Sequence, residues 1–283
     1  MSGARTILTS ATSDQGMGSL EPHQFEQALL SLVSDWMAGP AAVPVLACGM
    51  VGARQGWKEA EYLTVPTAPL VPNQFCAVQA QDSRLKVSIV PGLQQTDPPD
   101  VMRGEETQVA GFLAGAPEFQ GVICMPGTHT KWVQVSDGKI ARFQSFMTGE
   151  VFSLLERQSV LRHSLGSNAL SRPVFEDAVR QVFADPTLAV SGLFGLRADD
   201  LLNNQDATTL RSKLSAFLIG AEVQAAVGAL DCSTIVIIGA AELAGLYDRA
   251  LALKGLAPRL VDAETLTLDG LCAARALLES GNT

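Results

Sequence analysis

Pro126-Gly127-Thr128-His129-Thr130-Lys131 joins two apolar runs, 122–125 and 132–135, and gathers small residues, two threonines and a lysine at one turn. A glycine lets backbone approach an anion, hydroxyls donate hydrogen bonds, and a lysine supplies positive charge. Gly127, Thr128, Thr130 and Lys131 therefore form a candidate phosphate cradle. An ordinary β-hairpin with polar turn residues has the same composition, so this segment alone does not choose between the two.

Three further segments place small or polar residues at the ends of apolar runs, where α/β folds hold their ligands. In the first, Gly49, Gly52 and Gly56 permit a tight loop, Arg54 offers an anion clamp, and Trp57 offers a flat surface for a sugar-like ligand. The alternative is a plain turn with Trp57 in the core. In the second, Arg103 precedes the paired carboxylates Glu105 and Glu106 at the start of a helical pattern. One of the two acids could serve as a general base, or both could simply complement the positive end of a helix. In the third, a buried strand over 235–238 meets a helix through Gly239 and Ala240, where an adenosine could lie close to backbone. Many strand-to-helix turns need a glycine for no other reason.

The remaining chemistry is sparse. No Gly-x-x-x-x-Gly-Lys-Ser/Thr run occurs, and no Gly-x-Gly-x-x-Gly follows the first strand, which excludes a P-loop kinase and leaves a dinucleotide fold unsupported. The five cysteines, Cys48, Cys76, Cys124, Cys232 and Cys272, are widely spaced without a Cys-x-x-Cys pair, and only three histidines exist. Reduced thiols in a cytoplasmic protein fit this pattern better than a disulfide or zinc framework. Cys124 and His129 are close enough in sequence to raise a Cys–His hydrolase, but a cysteine inside an apolar strand points into the core. A net charge of −9 argues against nucleic acid, and no apolar run is long enough to span a membrane.

These segments need elements to position them. With 47% hydrophobic and 17% charged residues over 283 positions, the chain is globular and large enough for two domains. Strands are expected at 6–9, 43–48, 87–90, 122–125, 132–135, 140–146, 233–238 and 259–261. Helices are expected over 25–37, 105–116, 151–165, 210–230, 242–254 and 268–279, with 97–100 as a loop. The alternation is α/β, and the boundary between halves 1–116 and 117–283 falls near 114–120.

Four runs in this order resemble the 2-dehydro-3-deoxygalactonokinase family, sugar-acid kinases of the actin/hexokinase/Hsp70-like superfamily. They are Gly49-Met50-Val51-Gly52-Ala53-Arg54-Gln55-Gly56-Trp57, Val101-Met102-Arg103-Gly104-Glu105-Glu106-Thr107-Gln108, Pro126 to Trp132, and Phe146-Met147-Thr148-Gly149-Glu150. The resemblance implies two ribonuclease-H-like domains and ATP- and Mg2+-dependent phosphorylation of 2-dehydro-3-deoxy-D-galactonate at its 6-hydroxyl. It implies that Gly127, Thr128, Thr130 and Lys131 hold the ATP phosphates and that Gly239 and Ala240 touch adenosine. Gly49, Gly52, Arg54, Trp57 and Arg103 would surround the sugar acid, with Glu105 or Glu106 as base. A non-catalytic sugar-acid-binding protein derived from such a kinase is the alternative.

One departure stands out. The family opens with a strand and an Asp-Trp-Gly-Thr/Ser-type turn, the first phosphate loop, and no such motif occurs here. The expectation is a first domain lacking its amino-terminal strands, weak or absent activity, and a sheet that dimerisation could repair. In a Mg-ATP kinase assay, this chain should turn over far more slowly than one extended upstream by that hairpin. Equal, strong activity in both would remove the expectation.

Overall fold

The computed structural model describes residues 6–37 and 39–280. The strands in it are β1 (Val43–Ala47), β2 (Leu63–Thr64), β3 (Cys76–Val78), β4 (Leu85–Ile89), β5 (Leu93–Thr96), β6 (Pro99–Met102), β7 (Gly121–Met125), β8 (Thr130–Ser136), β9 (Lys139–Phe146), β10 (Ile235–Ile238) and β11 (Arg259–Val261). The helices are α1 (Phe25–Val33), α2 (Glu105–Gly115), α3 (Thr148–Gln158), α4 (Arg172–Ala184), α5 (Leu188–Ser191), α6 (Leu193–Asn203), α7 (Ala207–Ala229), α8 (Ala241–Ala252) and α9 (Ala263–Ser280). The fold is α/β with mixed sheets.

The central sheet runs β11-β10-β7-β8-β9. β10 is parallel to β7 and β11, whereas β7, β8 and β9 form an antiparallel meander. Side chains alternate across this sheet because a strand has a period of two. Val122, Cys124, Trp132, Ile235 and Ile237 face a core built with α4, α7 and α8. Ile123, Met125, Val133, Val135, Val236 and Ile238 face the opposite core, shared with α2 and Leu266 of α9. Two smaller sheets, β1-β4-β3 and β2-β5-β6, complete the amino-terminal half. β1 pairs with β4 along one edge, and no strand pairs with its other edge among the described residues.

The strand expected at 6–9 does not form. Residues 6–10 are irregular, and Ile7 and Leu8 lie in solvent. Two apolar residues flanked by threonines bury nothing without a sheet edge to pair with. The segment expected as a loop at 97–100 is instead a turn whose Pro99 already starts β6. Four strands were illegible (β2, β3, β5 and β6) because each is two to four residues long and lacks an apolar repeat. Helix α9 starts five residues earlier than the apolar spacing gives. The Asp262 carboxylate accepts hydrogen bonds from Glu264 N at 2.9 Å and Thr265 N at 3.3 Å, a side-chain cap on an open helix end. The α3 pattern stops short at Ser159, whose hydroxyl accepts from Leu161 N and opens a separate turn.

α9 returns to the amino-terminal half and packs against α2. The helices cross in backbone contact: a Cβ on Gly111 would lie 2.0 Å from the Leu266 carbonyl oxygen, and one on Gly270 would lie 1.9 Å from that of Thr107. Gly→Ala at an open helical position stabilises by up to about 1 kcal/mol. Here the methyl must force the helices apart, so Gly270→Ala is expected to destabilise by about 1–3 kcal/mol. A denaturant midpoint equal to or above that of the parent would contradict this close approach.

Candidate active site

Two of the segments singled out by sequence meet at the carboxyl end of β1. Residues Gly49–Gly52 make one helical turn directly after that strand, and Gly49 has φ +82°. Gly104, with φ +113°, opens α2 and sits so close that a Cβ on it would be 3.3 Å from Gly49 Cα. Positive φ and this contact both call for glycine. Arg103 just ahead is only 9% exposed and lies over the Tyr62 ring at 4.2 Å, with Nη2 donating to the Ala60 carbonyl at 2.8 Å. Its Nε and Nη1 have no hydrogen-bond partner in the protein. A buried donor left unpaired costs about 1–3 kcal/mol, so two on one cation are an unusual expense.

The paired acids do different things. Glu106 is fully buried, accepting from Gly104 N at 2.7 Å and from the Thr107 hydroxyl at 3.1 Å. Burial pushes its carboxyl up from 4.5 to about 8, against the Gly104 hydrogen bond and with help from the charge on Glu105. Cys48, at the end of β1, is pushed up to about 11 by burial and then by Glu106. Glu105 is partly open, accepts from Arg103 N at 3.0 Å, and faces Lys131 Nζ at 3.9 Å. That separation makes an ion pair but not a hydrogen bond.

The other two segments also meet, on the opposite side of the central sheet. Because β10 lies beside β7, the Gly239 turn packs on Pro126 of the hairpin. The hairpin turn is tied to the start of α3 by Glu150 N donating to the Thr128 carbonyl at 2.9 Å. Between them opens a cavity of ≈ 470 Å³, reached by Gly127, Thr128, Thr148, Gly149, Ala240 and Glu242, with an apolar wall from α3, α7 and α8. The first turns of α3 and α8 thus open onto the same space as the hairpin, which suits an anion. Arg211 also lines it, stacked on Phe152 at 4.8 Å and ion-paired with Glu156. Burial pulls its guanidinium down, and Glu242 opposes the shift.

The other two hairpin residues do not line the cavity, and strand parity sends them to opposite faces of the sheet. Lys131, 5% exposed, turns to Glu105 on the α2 face. Thr130, fully buried, turns to the α7 and α8 face, where its hydroxyl lies 3.0 Å from the Tyr247 hydroxyl. There the structure holds an acid that sequence reasoning missed. Glu222 of α7 is 3% exposed and accepts from Trp132 Nε1 at 2.7 Å and from the Tyr247 hydroxyl at 2.8 Å. Burial pushes its carboxyl up to about 7, and the polar groups of Thr148, Trp132, Tyr247 and Thr130 around it oppose the shift. A lone glutamate within an otherwise apolar helical pattern was the available signal.

The remaining expectations fall elsewhere. Arg54 is 80% exposed and pairs with Glu59 at 3.5 Å. Trp57 packs against the small core of Met37, Leu85 and Val87, so its ring supports the loop from below. Cys124 is fully buried with its thiol pushed well up by burial, and His129 pairs with Glu150. That leaves no Cys–His pair for a hydrolase. All five cysteines are free. Among the described residues no helix is long and apolar enough to cross a membrane.

Comparison with known proteins gives these pieces a common frame. The family described as 2-keto-3-deoxy-galactonokinase matches over residues 1–274. The chain belongs to that family. A relative from Rhizobium meliloti (strain 1021), named probable 2-dehydro-3-deoxygalactonokinase DgoK1, is 39% identical over 277 residues, 95% of this chain and 89% of the relative. The 2-dehydro-3-deoxygalactonokinase of Escherichia coli (strain K12) is 34% identical over 76% of this chain and 72% of its own. A crystal structure from Sinorhizobium meliloti, provisionally named for the same kinase, shares 38% identity with a TM-score of 0.81, covering 90% of this chain and 85% of that one.

Glu106 gives the start of α2 a pH signature. Between pH 4.5 and about 8 the folded state keeps a proton that the unfolded chain has released, so this group's contribution to stability falls as pH rises through that window and levels off above it. Glu106→Gln is expected to melt with a shallower decline from pH 5 to 9 than the parent. Parallel declines would show that Glu106 does not hold a raised pKa.

Proposed function

We propose that this chain transfers the γ-phosphoryl group of ATP to the 6-hydroxyl of 2-dehydro-3-deoxy-D-galactonate, in galactonate breakdown. The observation that carries this reading is the cavity where the hairpin turn and the first turns of α3 and α8 converge. The names of the relatives favour phosphoryl transfer over a non-catalytic sugar-acid-binding protein.

ATP places its phosphates at Gly127, Thr128 and the two helix starts, with adenosine along Gly239 and Ala240 and the apolar wall. The sugar acid sits at the Gly49–Gly52 turn, its carboxylate drawn by the unused donors of Arg103. Arg54, ion-paired in solvent, is better suited to steering the anion inward. Glu105 is the base, because it is the partly open acid of the pair and faces Lys131 at 3.9 Å. Glu106 supports it by fixing the Gly104 N–H. The 6-hydroxyl oxygen bonds to the γ-phosphorus, the bond from that phosphorus to the β–γ bridging oxygen breaks, ADP leaves, and the hydroxyl proton passes to Glu105.

Magnesium reaches such sites largely on the nucleotide, holding phosphates and water with only one or two carboxylates. The donor set fits that mode. No cluster of three or more metal-binding side chains exists among the described residues, and Glu242 is the carboxylate lining the cavity. When bound, the ion neutralises charge on the phosphates. Two lobes divided near residue 116, each ribonuclease-H-like, and a cytoplasmic setting for five free thiols complete the proposal.

ADP release measured against sugar-acid concentration tests it. Glu105→Gln is expected to lower kcat by about 100-fold or more with both KM values within a few-fold. Arg103→Lys is expected to raise KM for the sugar acid about tenfold or more and to spare KM for ATP. An unchanged kcat in the first variant removes Glu105 as base, and an unchanged sugar-acid KM in the second removes the carboxylate assignment.

A further inference from the structure

Thr130 carries a hydroxyl beside the phosphate turn, yet it is fully buried and does not line the cavity. Its hydroxyl is committed to Tyr247, and Tyr247 is committed to Glu222. The direction of this chain follows from its end. The Tyr247 hydroxyl gives its one proton to Glu222, so it must accept from Thr130. The second carboxylate oxygen takes the Trp132 N–H. Thr130 and Trp132 are the first and third residues of β8, immediately after the turn that bounds the cavity. Tyr247 itself lines the cavity floor.

We propose that Glu222 is a positioning residue for ATP: through Trp132 directly and Thr130 by way of Tyr247, it fixes the strand that sets the phosphate turn. It never touches the nucleotide. This proposal rests on the cavity being the ATP site. Trp132 is a donor only, so it needs an acceptor, and the carboxylate supplies two acceptor oxygens at once. A glutamine at this place offers one. With its oxygen kept on Trp132, its amide nitrogen must donate to Tyr247, and the Tyr247–Thr130 bond has to reverse.

Calorimetric titration with ATP and with the sugar acid, beside steady-state kinetics, tests the proposal on the intact chain. Glu222→Gln and Tyr247→Phe are each expected to weaken ATP binding and raise KM for ATP about five- to tenfold. Sugar-acid affinity is expected to stay within about twofold in both, and kcat within about twofold in Glu222→Gln, because Glu222 does not line the cavity. The double variant is expected to be no worse than the poorer single one, because both changes cut one chain. Trp132 fluorescence and a thermal melt verify folding; if the glutamine variant does not fold, Tyr247→Phe, which keeps the ring, carries the comparison. Folded variants that bind ATP like the parent, or that lose both ligands equally, overturn the positioning role while leaving the kinase reading intact. A parent chain that binds no ATP overturns the site assignment, and the positioning role with it.

Discussion

Strand β8 has to leave its turn open to the cavity while being buried on both faces, and the rest of the candidate site depends on how that is done. Apolar packing alone cannot finish the task, because the strand begins with a threonine, a lysine and a tryptophan whose polar groups all lose water. Each must find a partner inside the protein. Parity supplies two: Lys131 finds Glu105 on one face, and Thr130 and Trp132 find the Tyr247–Glu222 pair on the other. Since a single-residue slip would exchange these faces, the polar pairs fix register as firmly as the apolar ones. The turn at Gly127 and Thr128 is left as the part that meets the cavity.

The same arrangement links the halves. Asp100 of β6 accepts from Ser145 N at 2.6 Å and from its hydroxyl at 2.7 Å, and Gln95 accepts from Phe143 N at 3.1 Å. Leu93 and Met102 join Val133, Ile140 and Phe143 in one core. The start of α2 is therefore held against the hairpin on one face of the sheet, and the helices that wall the cavity pack on the other. Both reach the hairpin end of β8, where Lys131 meets Glu105 and where Gly127 and Thr128 line the cavity.

Much of this frame was legible in the sequence because it rests on local pattern. The hairpin, the α2 start and the helical span of α8 all follow from residues within a few positions of one another. The resemblance of four runs placed them in one family, and the family match bears that out. What stayed hidden depends on partners distant in the chain. Glu222 is 90 residues from Trp132, and nothing in its own helix announces the contact. Thr130 and Lys131 were grouped with Gly127 and Thr128 by composition, although the alternation of Trp132 with Val133 and Val135 already implied that neighbours on β8 face opposite ways. The strand expected at 6–9 shows the converse, a locally plausible pattern with no edge to complete it.

The return of α9 to α2 bears on the order in which the molecule can be assembled. Helix α2 carries the acids but contributes only part of the surface that buries it. The rest comes from α9, more than 150 residues later, through backbone contacts at Gly111 and Gly270. During synthesis the face of α2 that meets α9 must therefore stay uncovered until nearly every other element has emerged. The central meander, whose partners are close in sequence, can form well before that. The surroundings of the earlier helix are complete only when the later one has joined it.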